Sequence, residues 1–292
     1  MKPPSISLYF STEEFKIDRV SIEDFPLILD PEGWPITIAQ EFLWKILVDD
    51  SGADSPLTRI AYGRIMYDYF AYLNANEKEW NPKKQPYSIH PLKLYARWTK
   101  KRCGVATTNQ RLRLVCRFYD EALKSGTISE LPFKLRTRYV SRGDGQKVAV
   151  TSPDILYAEA ESLPRFLSDQ CYEQCLMASK DVAHRLLQKL MRQCGLRSSE
   201  ARTFPLKYIC DPSGWDGPAK RIHLSSKDMV LKYGIERDID MPADLMQELF
   251  RYAKYERNRR EKLSSRSSTS LLLNKRGNPF TKDAVVGIFA SL

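Results

Sequence analysis

The sequence predicts a mainly α-helical protein of two domains, a helical one followed by an α+β one. Three observations support this prediction. At 292 residues the chain is too long for one comfortable core. Apolar residues recur at steps of three and four in residues 39–132, and the period shifts towards two after residue 205. Between these parts, residues 133–152 combine proline, glycine and charge, which is typical of an exposed linker.

Residues 1–38 are predicted to form an extended, acidic lead-in. Proline and turn residues are frequent from residue 21 to residue 38, in SIEDFPLILDPEGWPITI. Residues 1–54 hold eleven acidic and four basic residues, so this part of the chain opposes the net charge of +10. The sequence leaves open whether the lead-in packs on the rest of the protein, shields its basic surface or contacts a neighbouring protomer.

The helical domain, residues 39–132, is predicted from helix start signals and buried stripes. Ser55 is a suitable N-cap, and Pro56 after it is suited to the first turn of a helix, so a first helix is expected to begin there. A second helix is expected near residues 91–102. A third helix is expected to begin at Thr107, which has capping-box spacing to Gln110. Its predicted buried stripe consists of Leu112, Val115, Cys116 and Tyr119.

A basic stretch in this domain indicates the class of partner. Between Glu79 and Asp120 there is no acidic residue. The ten cations there are Lys83, Lys84, Lys93, Arg97, Lys100, Lys101, Arg102, Arg111, Arg113 and Arg117. Such a surface repels itself unless a polyanion neutralises it, so nucleic acid is the favoured partner. The alternative is a solvated basic face without a ligand.

The second domain, residues 153–292, is predicted to mix helices and strands. Helices are expected near residues 153–169 and 179–194, and again after residue 242. Short strands are expected in KRIHL, MVLKY and ERDIDM, at residues 220–224, 229–233 and 236–241.

Metal and membrane sites are not expected. The six cysteines show no zinc-finger spacing and are interpreted as small buried hydrophobes. No run of 18 apolar residues occurs, and the start MKPPSISLYF has no signal core. These features predict a cytoplasmic, nucleoid-associated protein.

One motif surrounds a cation that directly follows an amphipathic helix. The stretch LLQKLMRQCGLRSSEARTFPLKYI places Arg197 after Gly-Leu and Glu200 three residues later. It resembles the first arginine motif of the tyrosine recombinases, or phage integrases.

A second motif resembles the hairpin that carries the family's catalytic lysine, and its sequence is LKYGIERDIDMP. The resemblance places Lys232 at the position of that lysine and leaves Lys227 as a second candidate. Here the glycine, Gly234, comes one position later than in the family.

The N-terminal half also resembles this family. SPLTRIAYGRIMYDYFAYLNA and GVATTNQRLRLVCRFYDEALKSGTISELPF are similar to its helical, SAM-like core-binding domain, and residues 153–292 to its catalytic, DNA breaking-rejoining domain. The resemblance implies double-stranded DNA as partner, a tetramer on DNA and no cofactor. The predicted DNA-binding residues are Lys100, Lys101, Arg102, Thr107, Arg111, Arg113 and Arg117, with Arg113 and Arg117 foremost.

The resemblance also implies catalytic roles. A tyrosine hydroxyl attacks the phosphodiester, Arg197 stabilises the charge that develops on the phosphate, Glu200 supports Arg197, and Lys232 protonates the leaving oxygen. The family's His-x-x-Arg motif and its tyrosine have no counterpart, since no histidine here has arginine three positions on. The expectation is a C-terminally incomplete catalytic domain that does not cleave DNA by itself.

Two other functions remain open at this point. One is a non-catalytic DNA-binding accessory protein derived from a recombinase. The other is a helical RNA-binding protein, for which base-stacking aromatics are expected near the basic stretch. Tyr95, Trp98 and Phe118 are available there, but their helical spacing favours the core.

Overall fold

The computed structural model describes residues 5–50, 55–82, 86–141, 146–159, 166–265 and 267–290. The chain divides into two compact units, Met1–Ser162 and Leu163–Leu292. About half of the described residues are helical, and the strands form small two-stranded antiparallel sheets. This composition agrees with the predicted mainly α class.

The lead-in is folded onto the helices of the first unit. Its strands are β1 (Ser7–Phe10), β2 (Lys16–Ile17), β3 (Val20–Ser21) and β4 (Pro26–Leu29). β1 pairs with β4, and the β2–β3 pair lies between them in the chain. Ile22, Phe25 and Ile28 are buried in the core of the unit. A Cβ on Gly63 would lie 2.3 Å from Cβ of Pro26, so the helix that carries Gly63 needs glycine there.

The helices of the first unit are α1 (Thr37–Trp44), α2 (Pro56–Ala75), α3 (Pro91–Arg102) and α4 (Val105–Lys124). A π-helical turn, Lys45–Asp49, extends α1. The predicted start of α2 at Ser55 and Pro56 is confirmed, and so is the buried stripe of α4. The start predicted for α4 is wrong. Gly104, with an extended backbone, is the N-cap, so Thr107 lies exposed within the first turn.

Aromatic side chains fill the core between these helices. The hydroxyl groups of Tyr69 and Tyr119 lie 2.6 Å apart in a hydrogen bond, and the Tyr95 hydroxyl donates to Asp68 at 2.8 Å. Phe118 packs edge-on against Phe42. Tyr95 and Phe118 are therefore core residues and are not available for stacking on bases.

The residues predicted as an exposed linker include an exposed hairpin of the first unit. Its strands, β5 (Leu135–Ser141) and β6 (Lys147–Pro153), pair in antiparallel register from Leu135 opposite Pro153. Residues 154–159 follow as turn and extended chain, which corrects the helix predicted near 153–169. Residues 160–165 of that prediction lie outside the described residues.

The second unit has three N-terminal helices, α5 (Asp169–Ala178), α6 (Val182–Gln193) and α7 (Ser198–Arg202). Strands β7 (Ala219–Leu224) and β8 (Arg237–Pro242) follow, then α8 (Ala243–Arg251), a π-helical segment (Tyr252–Arg257), α9 (Asn258–Glu261) and α10 (Lys282–Ala290). The strands predicted in KRIHL and ERDIDM are confirmed as the pair β7–β8.

The third predicted strand, MVLKY, is absent from the described structure. Met229 and Leu231 are buried while Val230 is exposed, which is the alternation of a strand. However, β7 and β8 pair with each other, and this segment lies in the loop between them. The alternation therefore arises because Met229 and Leu231 attach a loop to the core.

Buried arginines connect the last part of the second unit to its helices. Arg260 donates to Asp181 at 2.8 Å, to Glu256 at 2.9 Å and to the carbonyl of Leu273 at 2.8 Å. Arg257 donates to the carbonyls of residues 268 and 270 and to a nearby glutamate. Asp181 in turn accepts from the Ala183 amide and caps α6.

The cysteine interpretation holds in part. Cys116 is buried, but Cys171 and Cys210 are exposed. Within the described part of the chain, no helix has the length and apolar character that crossing a membrane requires.

Candidate functional site

Arg197 lies on the tight connection between α6 and α7. α6 ends just before Gly195, whose φ of +62° lets the chain reverse. Leu196 is buried and fixes the connection to the core. Arg197 is then the N-cap of α7 with an extended backbone, and its side chain is 54% exposed. The local sequence therefore presents a cation at the surface on a short, anchored turn.

The buried side chain of Glu200 holds Arg197 in place. Its carboxylate is fully buried and accepts the backbone N–H of Arg197 at 2.8 Å and Nη1 of the same residue at 3.0 Å. The i, i+3 contact expected from the sequence is present. The carboxylate also accepts from a second arginine, and these hydrogen bonds lower the pKa of Glu200 to about 2. Glu200 is thus ionised at any physiological pH.

The second arginine is Arg237, which lies in the stretch LKYGIERDIDMP but has no predicted role. Arg237 is the first residue of β8 and donates to Glu200 through Nη1 at 2.9 Å and Nη2 at 2.7 Å. This bidentate geometry is the strong form of an arginine–carboxylate contact. The sequence carries no local signal for this contact, because Arg237 and Glu200 are 37 residues apart.

The three side chains form a cluster with excess positive charge. Two guanidinium groups share one carboxylate, so the cluster carries a formal charge of +1. Within the described residues, Nη2 and Nε of Arg197 make no hydrogen bond, whereas both Nη atoms of Arg237 are used. A planar fork with free donors at the surface suits the oxygens of a phosphate group. We refer to Arg197, Glu200 and Arg237 as the arginine cluster.

Lys232 lies on the loop between β7 and β8. It begins a single 3₁₀ turn, Lys232–Gly234, in which Tyr233 has a left-handed backbone with φ of +60°. The ammonium lies 5.0 Å from the centroid of the Tyr233 ring. Among the described residues, no hydrogen bond or ion pair joins Lys232 to the arginine cluster. Lys227, the second candidate, is exposed on the same loop.

Polar contacts close the base of this loop. Glu236 accepts from the Ser225 hydroxyl at 2.7 Å and from the Ser226 amide at 2.9 Å, and its pKa is lowered to about 2 by these bonds. His223 contacts Asp238 at 2.8 Å, and the two nearby carboxylates raise the pKa of its imidazole. Glu236, the residue before Arg237, therefore connects the end of the loop to its beginning at Ser225 and Ser226.

The predicted DNA-binding arginines of α4 each contact a carboxylate. Arg111 pairs with Asp68 at 2.7 Å, Arg113 with Glu159 at 2.9 Å and Arg117 with Asp50 at 2.9 Å. Local sequence patterns do not predict these partners, since two of them lie 46 and 67 residues away. Each pair is partly exposed.

The predicted residues at the end of α3 have aromatic neighbours. The Lys100 ammonium lies 4.2 Å from the centroid of Tyr157, and the Arg102 guanidinium lies 4.8 Å from that of Trp98. Lys101 and Thr107 are exposed. Lys83 and Lys84, part of the basic stretch, lie outside the described residues. In the described ranges, no group of three or more His, Cys, Asp or Glu side chains is arranged to hold a metal ion.

No protein-family model matches the chain, and no curated protein matches it. Among solved structures, the chain is similar to the crystal structure of XerA recombinase, with 15% sequence identity and a TM-score of 0.31. The match covers 86% of this chain and 73% of the other. The chain thus has a weak structural neighbour named as a recombinase.

Proposed function

We propose that the protein acts in site-specific DNA recombination as a tyrosine-type recombinase. The observation that carries this proposal is the arginine cluster. Arg197 is clamped at one edge by a buried, ionised carboxylate and offers free donors to solvent at the other. A fixed, always-protonated fork is suited to a phosphate that gains negative charge in a transition state.

The proposed chemistry is a transesterification at phosphorus. A tyrosine hydroxyl, to which no residue of this sequence is assigned, attacks the phosphodiester, the bond from phosphorus to the 5′ oxygen breaks, and a 3′-phosphotyrosyl link forms. Arg197 binds a non-bridging oxygen. Lys232 donates a proton to the departing 5′ oxygen, and its exposed position leaves the ammonium accessible to DNA. The reverse steps rejoin the strand.

Arg237 is proposed as a positioning residue. Its bidentate contact engages both carboxylate oxygens of Glu200 and fixes the carboxylate plane. Without it, Glu200 keeps only the hydrogen bonds from Arg197, so the outward edge of Arg197 is held less firmly in its direction. In this proposal Arg237 fixes the orientation of Glu200, Glu200 fixes the orientation of Arg197, and Arg197 contacts the DNA.

The first unit is proposed to grip the duplex. Its contacts are those predicted on α3 and α4, namely Lys100, Lys101, Arg102, Thr107, Arg111, Arg113 and Arg117. These side chains position the DNA through its phosphates, since lysine and arginine contacts to phosphate carry no sequence information. Assembly of four copies on two duplexes belongs to the same proposal.

The test is duplex binding measured by fluorescence anisotropy across salt concentrations. We expect wild-type protein to bind with a steep salt dependence, and Arg197→Ala to lower the slope of log K against log salt by about one. Arg259→Ala is the matched control, because Arg259 is an exposed cation of the same unit paired with Glu256. It should leave both affinity and slope unchanged.

Two outcomes contradict the proposal. Weak binding that is indifferent to salt removes its physical basis. Tight binding that does not depend on Arg197 removes the catalytic assignment and favours a non-catalytic DNA-binding protein.

A further inference from the structure

One face of α3 carries a row of cations along a groove. Lys93, Arg97, Lys100 and Lys101 follow one another at steps of four, three and one, which places them on one side of the helix. The opposite side, with Leu92, Tyr95, Ala96 and Thr99, is buried in the core. The groove has a volume of about 620 Å³, and its other wall is the segment from Asp154 to Tyr157. We refer to it as the α3 groove.

The wall opposite α3 is held rigidly. The buried side chain of Asn109 on α4 donates to the carbonyl of Tyr157 at 2.8 Å and accepts its N–H at 2.9 Å. An asparagine that satisfies both backbone groups of one residue fixes that residue as a neighbouring strand does. The Tyr157 ring in turn lies under the ammonium of Lys100. The groove is therefore formed in the free protein and does not require a ligand to assemble.

The acidic residue in the wall is already engaged. Asp154 accepts the hydroxyl of Tyr87 at 2.6 Å and the backbone N–H of Lys134 at 3.1 Å, and its side chain is only 7% exposed. The carboxylate is thus bound by these two donors, and the Lys93 ammonium is linked to it through the Tyr87 hydroxyl, to which Lys93 donates at 3.5 Å. Throughout the described residues, none of Lys93, Arg97, Lys100 and Lys101 forms an ion pair with a carboxylate.

This sets the α3 groove apart from the arginines of α4. There, Arg111, Arg113 and Arg117 each have a carboxylate partner within 3 Å. A phosphate that binds one of those arginines must first displace the carboxylate. A phosphate that enters the α3 groove meets unpaired cations in a concave surface, where the favourable potentials add.

We infer that the α3 groove binds the sugar-phosphate backbone of one strand of double-stranded DNA, with Lys93, Arg97, Lys100 and Lys101 as the phosphate contacts. Lys93 and Lys101 are separated by about 12 Å along the helix axis, at 1.5 Å per residue. One strand of B-DNA carries a phosphate at every nucleotide, so a groove of this length can contact more than one phosphate of the strand. The inference rests on the proposed function and adds Lys93 and Arg97 to its contacts.

The test compares double variants that each remove two charges from the full chain. Arg97→Ala/Lys100→Ala removes two exposed cations of the groove. Lys16→Ala/Lys78→Ala is the matched control, because both lysines are exposed in the same unit and line no part of the groove. With a generic duplex, the groove variant should lower the slope of log K against log salt by about two, and the control should leave it unchanged.

The outcomes separate this inference from the proposed function. If wild-type protein binds with a steep salt slope and the groove variant keeps that slope, the groove assignment is overturned while the recombinase proposal stands. If wild-type protein shows no salt-dependent binding, both fail. Thermal melting of each variant verifies that the fold is retained. Polyglutamate competing as well as duplex at equal charge would overturn the assignment of the groove to DNA.

Discussion

The two units use arginine and carboxylate in opposite ways. In the first unit, Arg113 and Arg117 each meet one carboxylate, and both partners of each pair are about half exposed. In the second unit, Arg197 and Arg237 converge on one carboxylate that is completely buried. The same two functional groups thus form exchangeable surface pairs in one place and a fixed cluster in the other.

The difference lies in what happens when a phosphate arrives. An exposed pair contributes little free energy, so its arginine can release the carboxylate and bind phosphate at small cost. A buried carboxylate has no water to replace a lost arginine, so its partners stay in place. The first arrangement is suited to gripping DNA, and the second to holding one cation in a defined direction.

The largest expected effect comes from a buried arginine of the second unit. Arg260→Met leaves Asp181 buried without its cation and should lower the free energy of unfolding by about 3–5 kcal/mol. Arg259→Met is the adjacent control, because Arg259 is 75% exposed, and it should change stability by less than about 0.5 kcal/mol. Urea unfolding measures both. Equal effects would show that burial does not distinguish the two kinds of pair.

Glu200 should give the next largest effect, with a characteristic pH dependence. Glu200→Gln removes the charge that both arginines share and should cost about 2 kcal/mol at pH 7, less than a fully buried pair because both arginines are partly exposed. The pKa of Glu200 is about 2 in the folded protein and near 4.5 in the unfolded chain. Its contribution is therefore complete above about pH 5 and disappears as the pH falls towards 2.

Urea unfolding of wild type and Glu200→Gln at several pH values between 7 and 3 measures this contribution as a difference. Glu248→Gln serves as control, because Glu248 is an exposed residue that pairs with Lys189. A difference between wild type and Glu200→Gln that stays constant down to pH 3 would contradict a carboxylate stabilised by the cluster.

The smallest effect is expected for the surface pairs of α4. A double-mutant cycle of Arg113→Ala and Glu159→Ala should give a coupling of about 0.2–1 kcal/mol that vanishes in 1 M salt. Thermal unfolding of the four proteins of the cycle provides the coupling. A salt-resistant coupling above about 2 kcal/mol would mean that Arg113 is as firmly held as the arginine cluster and is not free to bind phosphate.

Local patterns were sufficient to predict local features. The proline after Ser55 predicts the start of α2, because it acts through its own backbone conformation. The contact of Arg197 with Glu200 is also local, at a spacing of three residues.

Features that depend on distant segments were beyond the reach of these patterns. Arg237 reaches Glu200 across 37 residues, and this depends on how β8 is paired with β7. The carboxylate partners of Arg113 and Arg117 come from chain segments on either side of α4. Alternating burial in MVLKY misled for the same reason, since a strand also needs a partner and the sequence does not specify one.

The packing of the lead-in decides how this protein can be divided into fragments for study. A fragment cut at the predicted bounds of the helical domain, 39–132, would lose Phe25 and Ile28, and burial of side chains of this size contributes about 1.5–3 kcal/mol each. It would also leave Asn109 without the backbone of Tyr157. Spectroscopic work on the first half of the chain therefore calls for a fragment that retains residues 5–159.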